Sequence, residues 1–256
     1  MNNAKCLLQH VEIETCNMCT RKCSWCNHGS SEEYKNRQME FLDTCYIEKI
    51  LQDLNKMGFA GVLSLFSINE PLLDARISSG ELIELSKGIL NPEAKVNIVT
   101  NGDLLTSEII KNMMDAGLDI LCISCYDENI YQKAKLLRSI FKDKLNISIF
   151  DYRPHNRSQL KYNRAGSIEG KATEAMPYCM LPIFTSTIGW DGEVRLCAYE
   201  SLGKIKFGNV KTKSYFEIIQ SRKMKSIRKS LAINRSSIYP CRVCNYEGVS
   251  QDYLYK

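Results

Sequence analysis

Cys19, Cys23 and Cys26 stand in the run Cys-Thr-Arg-Lys-Cys-Ser-Trp-Cys, a C-x3-C-x2-C spacing that follows an alternating apolar segment (Leu8, Val11, Ile13). Three thiolates on one short loop can face a common centre. They leave one corner of a cubane iron–sulfur cluster without a protein ligand, and an iron with an open site can bind a further molecule. A zinc site is the competing reading, because zinc favours four ligands and often takes them in C-x2-C pairs. Cys16-Asn17-Met18-Cys19 supplies such a pair.

A second set of thiols lies in the C-terminal third. Cys179 is followed by twelve residues, Gly192, four residues and Cys197, and Cys241-Arg242-Val243-Cys244 comes much later. Thr185–Ile188 and Glu193–Leu196 read as two strands around the turn Trp190-Asp191-Gly192. A hairpin and a C-x2-C pair together offer four thiolates to one centre, which suits zinc or an iron–sulfur cluster.

These loops must hang on a scaffold, and the chain between them alternates strand and helix patterns. Strands are expected at 8–14, Val62–Phe66, Val96–Thr100, Leu118–Ser124 and Leu145–Phe150. Helices are expected at 42–57, ended by Gly58; at 80–90; from a Thr106 or Ser107 cap to Ala116, ended by Gly117; and at 128–143. Such alternation implies a parallel sheet with right-handed crossovers and an α/β fold. Ligands gather at the carboxyl ends of the strands in sheets of this kind. Three loops share that end: the cysteine loop, Ser67-Ile68-Asn69-Glu70-Pro71, and Thr100-Asn101-Gly102-Asp103.

The 256 residues allow one large domain or a core with a small appendage. No apolar run reaches the roughly 20 residues that span a bilayer, and the start shows no secretory pattern. Twelve cysteines without an export signal argue for metal ligation in a reducing cytoplasm rather than for disulfides. Between Lys204 and Ser230 nine basic residues meet one acid, Glu217. That stretch is either a solvated helix face or a dock for an acidic partner. No helix-turn-helix or RNP-type motif accompanies it, which argues against nucleic acid.

With Cys19, Cys23 and Cys26, Glu70-Pro71 and Thr100-Asn101-Gly102, the chain resembles the radical S-adenosylmethionine (SAM) superfamily over roughly residues 8–248. The resemblance implies a partial (β/α) barrel of about five parallel strands at 1–151, a linker at 152–175, and a twitch-type hairpin-plus-helix domain at 176–256. It implies two 4Fe-4S clusters. One is held by Cys19, Cys23 and Cys26 and binds SAM at its open iron; the other, auxiliary, is held by Cys179, Cys197, Cys241 and Cys244. Trp25 corresponds to the aromatic position near the adenine. Asn69, Glu70, Thr100 and Asn101 correspond to the SAM-contacting loops, although Ile68-Asn69 replaces the usual two glycines.

What the family does follows from that likeness. Reductive cleavage of SAM gives a 5′-deoxyadenosyl radical that takes a hydrogen atom from the substrate. Asn163-Arg164-Ala165-Gly166 is similar to a linker segment of twitch-type members that oxidise a secondary alcohol of an aminocyclitol, where the arginine lies near the substrate. Arg164 is therefore a candidate catalytic residue. Cys125, at the carboxyl end of the fourth strand, is another, because some family epimerases return a hydrogen atom from a thiol. Cys6 and Cys45 read as packing residues. The expected function is two-electron oxidation of a sugar or aminocyclitol, with epimerisation, peptide modification or a non-enzymatic zinc or iron–sulfur module as alternatives. A short segment before the first strand favours a small-molecule substrate over a peptide. Flavodoxin or ferredoxin is the expected electron donor.

Overall fold

The computed structural model describes residues 6–155, 162–168 and 176–247; of the expected linker, 156–161 and 169–175 lie outside the described residues. The elements run β1 His10–Ile13, α1 Asn27–Ser30, α2 Glu32–Lys35, α3 Thr44–Lys56, β2 Val62–Ser64, α4 Ala75–Ser78, α5 Glu81–Ile89, β3 Lys95–Thr100, α6 Ser107–Asp115, β4 Ile120–Cys125, α7 Glu128–Phe141 and β5 Asn146–Asp151. The C-terminal part adds α8 Leu181–Phe184, β6 Thr185–Ile188, β7 Glu193–Arg195, β8 Lys206–Asn209, α9 Tyr215–Ile219 and α10 Arg222–Ile233.

Local chemistry sets several of these boundaries. Thr106 caps α6 by accepting from Ile109 N, and Asp127 caps α7 by accepting from Ile130 N. Ser214 and Glu217 form a reciprocal capping box on α9. Gly58 and Gly117 end α3 and α6 with φ of 70° and 94°, a conformation costly for other residues.

One eight-stranded sheet has the order β5-β4-β3-β2-β1-β6-β7-β8. The five barrel strands are parallel, as the alternation implied. The C-terminal hairpin is not a separate sheet. Its first strand, β6, lies parallel to β1 with Val11 opposite Ser186, so β1 is flanked on both sides. β7 and β8 then continue antiparallel. The main apolar core follows the same continuity. It joins Val11, Ile13, Leu63, Ile98 and Ile123 of the barrel to Val194, Tyr215, Ile218 and Met224. A smaller core gathers Leu181, Leu196, Leu231 and Tyr246 around the C-terminal cysteines.

Candidate active site

β1 delivers Cys16 and then the cysteine loop at its carboxyl end. Cys16 is fully buried, forms an isolated bridge with Phe41, and its sulfur accepts from Asn69 Nδ2 at 3.3 Å. Its thiol also reaches the carbonyl of Glu70 at 3.7 Å. It is therefore spent on packing against the Asn69-Glu70 loop.

Cys19, Cys23 and Cys26 remain partly exposed. Burial pushes the Cys19 thiol up to about 12; Arg21 N–H works against that, and Glu70, Cys26 and Cys23 add to it. Three thiols that repel one another as thiolates fit a centre that brings positive charge. The loop is held from below: a Cβ on Gly29 would lie 2.3 Å from the Cys23 carbonyl oxygen, so the first turn of α1 packs where only glycine fits.

Polar side chains hold it from the sides. Arg21 pairs with Asp103 and donates to Asp127 Oδ2 at 2.7 Å, tying the loop to the ends of β3 and β4. Asn101 Nδ2 donates to Thr20 Oγ1 at 2.9 Å and lies 3.6 Å from Cys19 Sγ. Glu70 is the hub beneath. Its Oε1 accepts from Thr100 Oγ1 at 2.7 Å and from Leu72 N at 3.2 Å, and its Oε2 accepts from Asn101 N at 2.9 Å. Burial pushes its carboxyl up, against those three hydrogen bonds. The Asn69 amide is used internally as well, since its Oδ1 accepts from Ser67 N at 3.1 Å. Glu70, Thr100 and Asn101 are thus brought together beside Cys19 as one unit.

Trp25 lies 5.8 Å, ring to ring, from Tyr126, which stacks on Tyr152 at 5.7 Å. An aromatic wall therefore runs from the cysteine loop along the ends of β4 and β5.

The interior face of the sheet is polar. His10 Nε2 lies 2.6 Å from Ser64 Oγ, which accepts from Asn97 Nδ2 at 2.9 Å, and the Cys122 thiol reaches Asn97 Oδ1 at 3.7 Å. Burial lowers His10 to about 4, so the ring is neutral beside Ser64. Above this row sits Glu12, which accepts from Ser67 Oγ at 3.0 Å and Thr187 Oγ1 at 3.3 Å. Burial pushes Glu12 up to about 7, and Ser67, Thr187 and nearby Arg164 oppose the shift. Arg164 also acts electrostatically on Tyr152 and sits 5.8 Å from the Tyr199 ring, which places its guanidinium at the mouth of this interior.

The reading of β1 as merely alternating missed Glu12 and His10. The signal was there: central parallel strands are buried on both faces, so a carboxylate and an imidazole on the second face are out of place unless they line a site. Cys125 needs a correction. It lies fully buried in the main apolar core with Leu121 and Ile123, and a strand sends alternate residues to opposite faces. Among the described residues its thiol reaches the Ile123 carbonyl, at 3.8 Å. The interior thiol on β4 is Cys122.

The second cysteine set lines a small cavity of about 20 Å³, where Cys179, Cys197, Cys241 and Cys244 meet with Leu181, Leu196, Tyr199 and Tyr246 among its walls. Burial pushes Cys241 up to about 12, and Cys179 and Cys244 add to it. Cys197 is pushed up as well, first by burial and then by Cys179 and Cys244. Among the described residues, no three cysteine, histidine or carboxylate groups close on a single point as one ion requires. The four thiols line one pocket together, a donor set that fits a fully ligated iron–sulfur cluster.

Two family models match in these same places: the radical SAM superfamily over residues 13–129, and the SPASM iron–sulfur cluster-binding domain over 179–245. The chain carries a radical SAM domain followed by a SPASM domain. This radical SAM enzyme carries the fold that binds a 4Fe-4S cluster with SAM, and a domain for an auxiliary iron–sulfur cluster. It is 25% identical over 260 aligned residues to the S-adenosyl-L-methionine-dependent 2-deoxy-scyllo-inosamine dehydrogenase of Niallia circulans, covering 97% of each chain. Its fold is similar to that of BtrN in complex with AdoMet and 2-DOIA (TM-score 0.79, 22% identity, 93% of each chain). It is also similar to native anSMEcpe with bound AdoMet (TM-score 0.60, 13% identity, 87% of this chain and 83% of the other). No helix among the described residues is long and apolar enough to cross a membrane.

Proposed function

We propose that this radical SAM enzyme is a cytoplasmic oxidoreductase that removes two electrons from a secondary alcohol of a small aminocyclitol or sugar. The observation that carries the reading is the polar interior: a half-buried carboxylate, Glu12, hydrogen-bonded by Ser67 and Thr187 and within the electrostatic influence of Arg164. A polyhydroxylated amine offers donors and acceptors that such a lining can pair, whereas an apolar substrate would leave it unsatisfied. The likeness to the 2-deoxy-scyllo-inosamine dehydrogenase over nearly the whole chain supports the same class.

When bound, SAM and its cluster supply the radical that takes a hydrogen atom from carbon, and the auxiliary cluster supplies an acceptor for the remaining electron. The chain's own residues do the rest. Cys19, Cys23 and Cys26 would hold the first cluster, and Cys179, Cys197, Cys241 and Cys244 the second. Asn69 shapes the loop before Glu70, whose carboxylate fixes Thr100 and Asn101 beside the cysteine loop. Trp25 forms the wall on which an adenine can lie. Arg164 orients a substrate oxygen by a charge-assisted hydrogen bond. Ketone formation also releases the hydroxyl proton, and Glu12, balanced near neutrality, is placed to receive it.

The electron donor we assign is a flavodoxin or ferredoxin, docking on the exposed basic residues Lys211, Lys213, Arg222, Lys225 and Lys229. Anaerobic incubation with SAM, reductant and 2-deoxy-scyllo-inosamine tests the whole reading. A ketone should form in step with 5′-deoxyadenosine. Cleavage of SAM without loss of substrate would sink the substrate class, and no cleavage would sink the reaction class.

A further inference from the structure

The segment that carries Arg164 has an unusual backbone. Arg164, Ala165 and Gly166 all have positive φ, at 48°, 54° and 80°. Two consecutive non-glycine residues in the left-handed region are costly, and such strain persists only where the surroundings over-determine it.

The surroundings here are the loops of the two cysteine sites. At one end, Asn163 Nδ2 donates to the carbonyl of Val243, inside the Cys241–Cys244 pair, at 2.7 Å. Asn163 and Asn245 also pair reciprocally, each backbone N–H donating to the other's side-chain oxygen, at 2.7 and 3.2 Å. A Cβ on Gly166 would lie 2.8 Å from Val243 Cγ2, so the arch sits directly on that loop. At the other end, Ser167 Oγ lies 3.0 Å from Asn27 Oδ1 and 2.8 Å from the Arg164 carbonyl oxygen. Asn27 immediately follows Cys26, is buried, and sends its Nδ2 to Ser201 Oγ at 2.5 Å, four residues after Cys197. One strained arch therefore bridges both sites; its guanidinium lies 5.8 Å from the Tyr199 ring and acts electrostatically on Glu12 and Tyr152.

We infer that the arch Asn163–Ser167 is a positioning element that presents Arg164 to the substrate only while both cysteine loops are in place, with Asn163 and Ser167 as its pins. The inference rests on the reading that Arg164 meets the substrate. A pin contributes nothing to binding except through the arginine it holds, and that property can be measured.

The experiment uses the reconstituted enzyme with SAM and no reductant, so that nothing turns over, and titrates 2-deoxy-scyllo-inosamine by calorimetry. Asn163→Ala and Ser167→Ala should each weaken its binding about tenfold, the equivalent of one well-made hydrogen bond, with SAM affinity unchanged. On an Arg164→Ala background, Asn163→Ala should cause no further loss. Full additivity, or no effect of either pin in the parent, overturns the inference. A second readout needs no substrate. The amides of Gly166, Ser167 and Ile168, bonded to the carbonyls of Asn163 and Arg164, should exchange hydrogen faster in both pin variants while cluster absorbance stays intact. Unchanged exchange overturns the inference too. If the parent enzyme binds no 2-deoxy-scyllo-inosamine, the substrate reading fails, and the exchange experiment alone decides the arch.

Discussion

Cys19, Cys23 and Cys26 stand on a half-open loop held by charges and amides: Arg21 to Asp103 and Asp127, Asn101 to Thr20, Glu70 beneath. Cys179, Cys197, Cys241 and Cys244 line a small, largely apolar pocket whose walls include Leu181, Leu196, Tyr199 and Tyr246. The difference follows from ligand count. Three thiols leave a coordination site that a small molecule must enter, so the loop needs rigidity without cover. Four thiols complete a centre that only exchanges electrons, and apolar cover then costs nothing in access.

The comparison breaks most directly at the cysteines. Replacing Cys19, Cys23 and Cys26 by Ala should remove about half of roughly eight irons per chain and all SAM cleavage. Replacing Cys197 should remove the other half and spare SAM cleavage while ketone formation stops. Iron analysis and 5′-deoxyadenosine assay of both variants check this; zinc at stoichiometric level in the parent would defeat it.

Gly29→Ala asks whether the open loop depends on backbone fit. A methyl 2.3 Å from the Cys23 carbonyl oxygen forces the loop to shift, so this variant should lose the first cluster while the auxiliary absorbance persists.

Glu70→Gln sharpens the role of the polar hub. The amide puts a donor where the carboxylate now accepts from Thr100, Leu72 and Asn101. Loss of charge-assisted hydrogen bonds should weaken SAM binding by about 1.5–3 kcal/mol. Calorimetry with normal iron content reads it, and unchanged affinity would remove Glu70 from the SAM site.

The smallest effect concerns Glu12. Its folded pKa is about 7 against 4.5 unfolded, so its protonated form favours the folded state. That contribution is complete below about 4.5 and is lost as pH rises through about 7. Denaturant titrations should show stability falling across this window in the parent, and a flatter profile in Glu12→Gln. Identical slopes would place Glu12 outside the low-dielectric interior.

Much of this molecule was legible locally. The apolar period of Ile47, Ile50, Leu51 and Leu54 marked α3, and the Thr106 cap marked the start of α6. The cysteine spacings pointed to four thiols that the fold brings to one pocket, because thiolate geometry constrains short sequence. What stayed hidden depends on long-range pairing. β6 reads as half of an isolated hairpin because nothing in Thr185–Ile188 records that its partner is His10–Ile13. Glu12 was passed over for the same reason: its face becomes an interior only once strands on both sides enclose it. Cys125 was placed near the substrate from its position along β4, whereas the strand's alternation turns it into the apolar core.

The pairing of β1 with β6 also orders events during synthesis. β1, which carries the cysteine loop, gains its second neighbour only when residues 185–188 have left the ribosome. Until then one side of β1 is a bare edge, open to any strand that can pair with it. Chain elongation therefore separates the making of the first three cysteines from the completion of their support by about 160 residues, or roughly 10–30 s at ordinary bacterial rates. Metal delivered early would meet a loop whose platform is unfinished. The most amino-terminal thiols of this protein are thus not fully housed until residue 188 has been made, and a host that overproduces it should hold back iron–sulfur loading until that point.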